Sequence, residues 1–111
     1  MAIPSGSGSE RLRRVTANDN TGWNEILSGI AGHLYTIISV IYCNRNSGTS
    51  IFSFRMNDGS NDIALVESTT IAGYGTFVFN DKFVLEEDDD IDIYNSNTGD
   101  WLISYIDQDW T

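Results

Sequence analysis

His33 is the only histidine of the chain and Cys43 its only cysteine. A nucleophilic triad needs a nucleophile, a base and a group that orients the base. His33 follows Gly32 with no serine-centred elbow beside it, and it reads as a surface or strand-end histidine. One cysteine and one histidine also fall short of the tetrahedral ligand set that zinc takes. The acidic run Glu86-Glu87-Asp88-Asp89-Asp90 offers oxygens to a hard cation such as calcium. It lacks the spaced D-x-[DN]-x-[DN]-G order of a calcium loop, so a solvated turn accounts for it. Asp58-Gly59-Ser60-Asn61-Asp62 is likewise explained as a hairpin turn. Acids are plentiful, but no spacing singles out the opposed pair that glycoside hydrolysis requires. The aromatic residues Trp23, Trp101, Trp110, Tyr74 and Tyr94 are the best candidates for small-molecule binding, as a platform on which sugars stack. Against that, Trp101 and Tyr105 share a strand face with Ile103, which is a core pattern. These residue types support binding rather than turnover. No enzyme activity, no cofactor and no metal is expected.

The elements that must position these residues are strands. From His33 to Asn44 nearly every residue is β-branched or aromatic, which favours a strand, central and buried on both faces. One set along it is Tyr35, Ile37, Ser39, Ile41 and Cys43, so Cys43 reads as a small buried side chain. In 50–57, Phe52, Phe54 and Met56 alternate with Ser53, Arg55 and Asn57, inward against outward. Further strands are expected at 11–16, 25–28, 62–67, 76–80, 83–85, 91–95 and 101–106. Turn clusters separate nearly all of them, among them Asn18-Asp19-Asn20-Thr21-Gly22 and Ser96-Asn97-Thr98-Gly99-Asp100. No segment has helical periodicity. The expectation is an all-β fold, an antiparallel β-sandwich or jelly roll of about eight strands with an extended N-terminal arm. Residues 1–10, rich in Gly and Ser, form the flexible arm, and residues 11–111 form one sandwich domain.

Charge narrows the partners. The net charge is −10. Residues 1–55 hold five arginines against three acids, net +2, while residues 56–111 hold one lysine against thirteen acids, net −12. An acidic half repels phosphates, so no nucleic-acid partner is expected. No apolar run reaches membrane-span length, so no membrane is expected either. The N-terminal residues lack the apolar core of a signal peptide, which fits folding in a reducing cytoplasm. The two ends differ. Ile3 and Pro4 form an apolar tip on the arm, followed by Arg11, Arg13 and Arg14. The chain closes on an amphipathic stretch with Tyr105, Ile106 and Trp110, and an exposed aromatic there needs something to dock on. These eight residues are the candidate protein interface, and arginines meeting an acidic face make a homo-oligomer plausible.

The pieces "PSGSGSE-x-L-x-R", "Y-T-I-I-S-V-I-Y-C-N", "DGSNDIAL", "GTFVFNDKFVLEEDDDIDIY" and "SYIDQDWT", in that order, cover most of the chain. Together they resemble small virion structural proteins of tailed phages, especially marine and cyanobacterial ones. Phe83 to Tyr94 matches the recurring pattern F-x-L-x-x-x-D-x-I-x-V/I-Y. It departs from that pattern before the Asp of the turn, where the family often has Gly and this chain has Asp88. The resemblance implies a structural role in the virion without catalysis, and no catalytic or cofactor residues to carry over. It implies a capsid decoration or cement protein that binds the major capsid protein or other virion proteins. The alternative is a tail or tail-fibre component that binds host glycans or proteins.

Overall fold

The computed structural model describes residues 8–110. Every regular element among them is a strand: β1 (Ser9–Ser28), β2 (His33–Asn44), β3 (Ser50–Asn57), β4 (Asp62–Ile71), β5 (Thr76–Phe79), β6 (Phe83–Leu85) and β7 (Asp90–Asp109). All pairings are antiparallel. The expected all-β antiparallel sandwich is the fold.

Two expected breaks are absent, and this lowers the strand count. β1 runs through the Asn18–Gly22 cluster, and β7 runs through the cluster around Gly99. The two strands pair along their length, from Ser9 opposite Asp109 to Ser28 opposite Asp90, with register shifts between Ala17, Asn20 and Gly22. That ribbon is folded over. A straight strand of 20 residues spans roughly 65 Å. Yet one end of the ribbon (Ser28 opposite Asp90) connects to the other (His33 opposite Asp109) through only Gly29 to Gly32, a reach of about 17 Å. The bulges at 17–22 form the corner. Asp19 and Gly22 both take positive φ there, 53° and 78°, conformations that Asp tolerates and Gly adopts freely.

Folding the ribbon makes the two layers. Before the corner, the first part of β7 lies between β1 and β3, with β4 beyond β3. After it, the second part lies between β1 and β2, and β5 and β6 flank β2. The layers meet through rings. Phe52 of the first packs on Phe77 and Trp101 of the second, and Phe54 on Phe79 and Trp101. Tyr42 lies 4.6 Å from Trp101. Ile37, Val40, Leu85, Ile91, Ile93 and Ile103 complete a water-free centre.

β2 departs from its expected alternation. A register shift between Ile37 and Ser39 inserts one residue, and every side chain after it changes face. Tyr35 and Ile37 point inward before the bulge, Val40, Tyr42 and Asn44 after it. Ile41 and Cys43 therefore lie half-buried on the outer face, and β2 is fully buried on one face only.

Candidate assembly surface

β1 carries three of the expected interface residues and is an edge along its whole length. Among the described residues its only strand partner is β7. An edge strand turns alternate N–H and C=O groups outward, where another strand can take them up. From Ser9 to Ala17 the register with β7 is unbroken, so the open backbone is regular there.

Its two faces differ. On the inner side Val15 and Ala17 pack against the core. Further along the same side the Arg13 Nε donates to Asp107 Oδ2 at 3.0 Å, and His33 Nδ1 donates to Asp107 Oδ1 at 2.7 Å. His33 Nε2 also lies 3.5 Å from Asp109 Oδ1. Asp107 is only 5% exposed. A buried carboxylate is stable only when charge and hydrogen bonds compensate its lost hydration, and here β1 and β2 each supply a donor. The cluster stitches three strands. His33 is the strand-end histidine the sequence suggests, at the start of β2, and its side chain is tied to Asp107. Asp107 gave no signal in the sequence beyond its place in the strand pattern.

On the outer side Glu10, Leu12 and Arg14 face solvent. Leu12 is 75% exposed and sits opposite Ile106 of β7. Glu10 Oε1 accepts a hydrogen bond from Gln108 Nε2 at 2.8 Å. Arg11 lines a polar recess with Ser9, Arg13, Asp107 and Asp109.

Of the expected gripping residues, Arg11, Arg14 and Ile106 lie on or beside this edge, while Arg13 is engaged with Asp107. Tyr105 is corrected: it is 7% exposed and stacks on Tyr35 at 4.9 Å inside the core, because its position in β7 faces inward. Trp110 docks on its own chain. Its N–H donates to Gly32 O at 2.9 Å, and a Cβ at Gly8 would strike its ring at 2.7 Å. Glycine at position 8 is what lets the ring close over the start of β1. Ile3 and Pro4 lie outside the described residues.

The aromatic platform is dispersed. Trp101 is buried, and Tyr74 sits in the turn after β4, leaving Trp23 and Tyr94 as neighbours 5.3 Å apart on the outer face of the first layer. Arg55 covers Trp23 at 3.9 Å and lies 3.5 Å from Asp62 and 3.6 Å from Asp92. Beside them Glu25, Asp90 and Asp92 bring carboxylate oxygens within 4.8 Å of one another. Burial, then the charge of Glu25, raises the pKa of Asp90. Burial, then the charge of Asp90, raises that of Asp92. The acidic turn before β7 is otherwise a turn, as expected: Asp89 Oδ2 accepts the Glu86 N–H at 2.8 Å.

No protein-family model matches the chain, and no curated protein matches it by sequence. Solved structures that share its fold include two from large assemblies. One belongs to Bacillus endospore appendages, described as a novel family of disulfide-linked pili, with a TM-score of 0.53 and 16% identity over all of this chain and 97% of that one. The other is from the T13 IBDV viral particle, with a TM-score of 0.50 and 10% identity over all of this chain; the chain spans 38% of that protein. The chain is thus similar in fold to subunits of two large assemblies.

Proposed function

We propose that this chain is a structural subunit of a virus particle, a capsid decoration protein of a tailed phage that binds across joints of the major capsid shell. The observation that carries this reading is the open edge of β1, regular from Ser9 to Ala17 and bearing Arg11 and Arg14. The resemblance of the sequence to phage virion proteins supports it, as does similarity in fold to a viral particle protein and a pilus protein. The mechanism is mechanical. Each copy buries shell surface that would otherwise stay open, and many weak sites acting together resist expansion.

The test adds purified chain to shells that lack it and images them by electron microscopy. Density repeated over the head, lost when residues 1–14 are deleted, is expected. Density at the tail alone would instead favour a tail component. Trp23, 46% exposed beside Tyr94, makes glycan binding the natural second reading in that case, and a glycan array reads it directly.

A further inference from the structure

We infer that the open edge of β1 joins two copies of this chain into a symmetric dimer, with the two-fold axis passing beside Leu12. This goes beyond the shell-binding reading, which draws on the same edge, and stands without it.

The argument begins with symmetry. Two identical edges that pair antiparallel about an axis normal to the sheet keep each side chain on its own face. Opposed residues must then be separated by an even number of positions. Centring on Leu12 places Glu10 of each copy opposite Arg14 of the other, and Leu12 opposite Leu12. All three lie on the solvent side of β1. The pattern Glu-x-Leu-x-Arg is self-complementary only in this antiparallel sense. Opposite charges across a strand pair attract, and like charges repel.

Neighbouring registers lose this match. Centring on Arg13 opposes that arginine with itself and puts Glu10 across from Thr16. Centring on Arg11 puts Glu10 across from Leu12. Neither forms an ion pair.

Apolar surface agrees with the charges. Leu12 is the most exposed of the large hydrophobic side chains among the described residues. Its cross-strand neighbour is Ile106. The dimer therefore assembles a stripe of Ile106, Leu12, Leu12 and Ile106 over the joint, removing both leucines from water. On the inner side Arg11 meets Arg13 of the second copy. That contact is screened from within, because Arg13 is bonded to Asp107 and Arg11 shares its recess with Asp107 and Asp109. The bulges of β1 begin only after Ala17, so the backbone needed for pairing is intact.

Sedimentation velocity on the full chain in low salt, from about 5 μM to about 500 μM, tests this. A monomer–dimer equilibrium is expected for the native sequence. Arg14→Glu alone, or Glu10→Arg alone, opposes like charges twice and should weaken the dimer about tenfold or more. Glu10→Arg with Arg14→Glu in one chain should restore it. An equimolar mixture of the two single variants should form heterodimers. A native chain that stays monomeric throughout, single variants that dimerise as well as the native chain, or a double variant that fails to recover would each overturn the inference. All of these changes lie on the solvent side, and unchanged thermal melts of the monomers would confirm that folding is intact. As a second readout, Leu12→Cys should oxidise to a covalent dimer, since opposed Cβ atoms about 4.5–5.5 Å apart need little movement to reach disulfide geometry. The native chain, with Cys43 alone, reports the background. Shell binding is scored separately with the monomeric Glu10→Arg chain, which keeps Arg11 and Arg14, so the two readings fail independently.

Discussion

Asn95 is fully buried at the corner of the ribbon, and all its hydrogen-bonding capacity is used. Its Oδ1 accepts from Asn20 Nδ2 at 2.7 Å and from Trp101 Nε1 at 3.0 Å. Its Nδ2 donates to Asn20 O at 2.7 Å and Asn97 O at 2.6 Å. Only an amide supplies two acceptor sites and two donors in that shape. Asn95→Ala leaves the indole N–H and two carbonyls without partners and should cost about 2–4 kcal/mol in urea unfolding. A loss under about 1 kcal/mol would mean that water replaces the amide. The acidic trio behaves oppositely. Asp90 and Asp92 have pKa values raised in the fold, Asp90 by burial and by Glu25. Between the unfolded and the raised folded value, the native state holds more protons than the unfolded chain. Stability from these groups therefore falls as pH rises through that window, and a constant penalty remains above it. Asp90→Asn should raise the melting midpoint at pH 7 and leave it nearly unchanged at pH 3, where native and variant side chains are both neutral. An equal gain at both pH values would assign the effect to packing rather than charge.

At the scale of elements, the folded ribbon depends on close approach of strands at its corner. Gly99 lies beneath Tyr42. A Cβ there would meet Tyr42 Cε1 at 2.5 Å and Cys43 O at 2.7 Å. Gly99→Ala must push β2 from β7 and should destabilise by about 1–3 kcal/mol. Gly48→Ala, in open space with no positive φ, should be near neutral and serves as the control. This corner also shows what was legible in the sequence. The Asn, Asp and Gly of 18–22 and 96–100 correctly marked places where the chain bends. They look like strand ends in the sequence because local turn chemistry is the same whether pairing stops or carries on through a bulge. Continuity is a tertiary property: each cluster is held by the other, with Asn18 Nδ2 and the Asp19 N–H donating to Asp100 Oδ1. The same limit hid the bulge in β2, since no residue near Ile38 distinguishes an inserted position from a regular one. The aromatic alternation of β3, by contrast, is legible at Phe52 and Phe54, which are both buried, whereas Ser53 between them, expected outward, is buried too and accepts the Ser68 N–H at 2.8 Å. The candidate surface was half legible. Charge and position marked Arg11 and Arg14, whereas the inward phase of Tyr105 depends on the register of β7.

The whole molecule redistributes the charge that the sequence separates. Antiparallel pairing brings β1 from the first half against β7 from the second, so the arginines meet acids at home. Arg13 pairs with Asp107, Arg45 with Asp19 and Asp100, and Arg55 with Asp62 and Asp92. What remains is no basic face opposite an acidic one but a broadly acidic body with Arg11 and Arg14 along one edge. With a net charge of −10, self-repulsion in the compact state is expected to outweigh the exposed or partly exposed pairs of Arg45 and Arg55, each worth about 1 kcal/mol or less. Salt screens the long-range repulsion across the body more completely than contacts at 3–4 Å. Raising NaCl from low to moderate concentration at pH 7 should therefore raise the melting midpoint by about 4 °C, corresponding to roughly 1 kcal/mol for a domain of this size. The measurement belongs on the monomeric Arg14→Glu chain at low concentration, so that salt acts on folding alone and not on association. A fall in the midpoint would show that the arginine–carboxylate pairs, rather than the net charge, dominate the electrostatics of the fold.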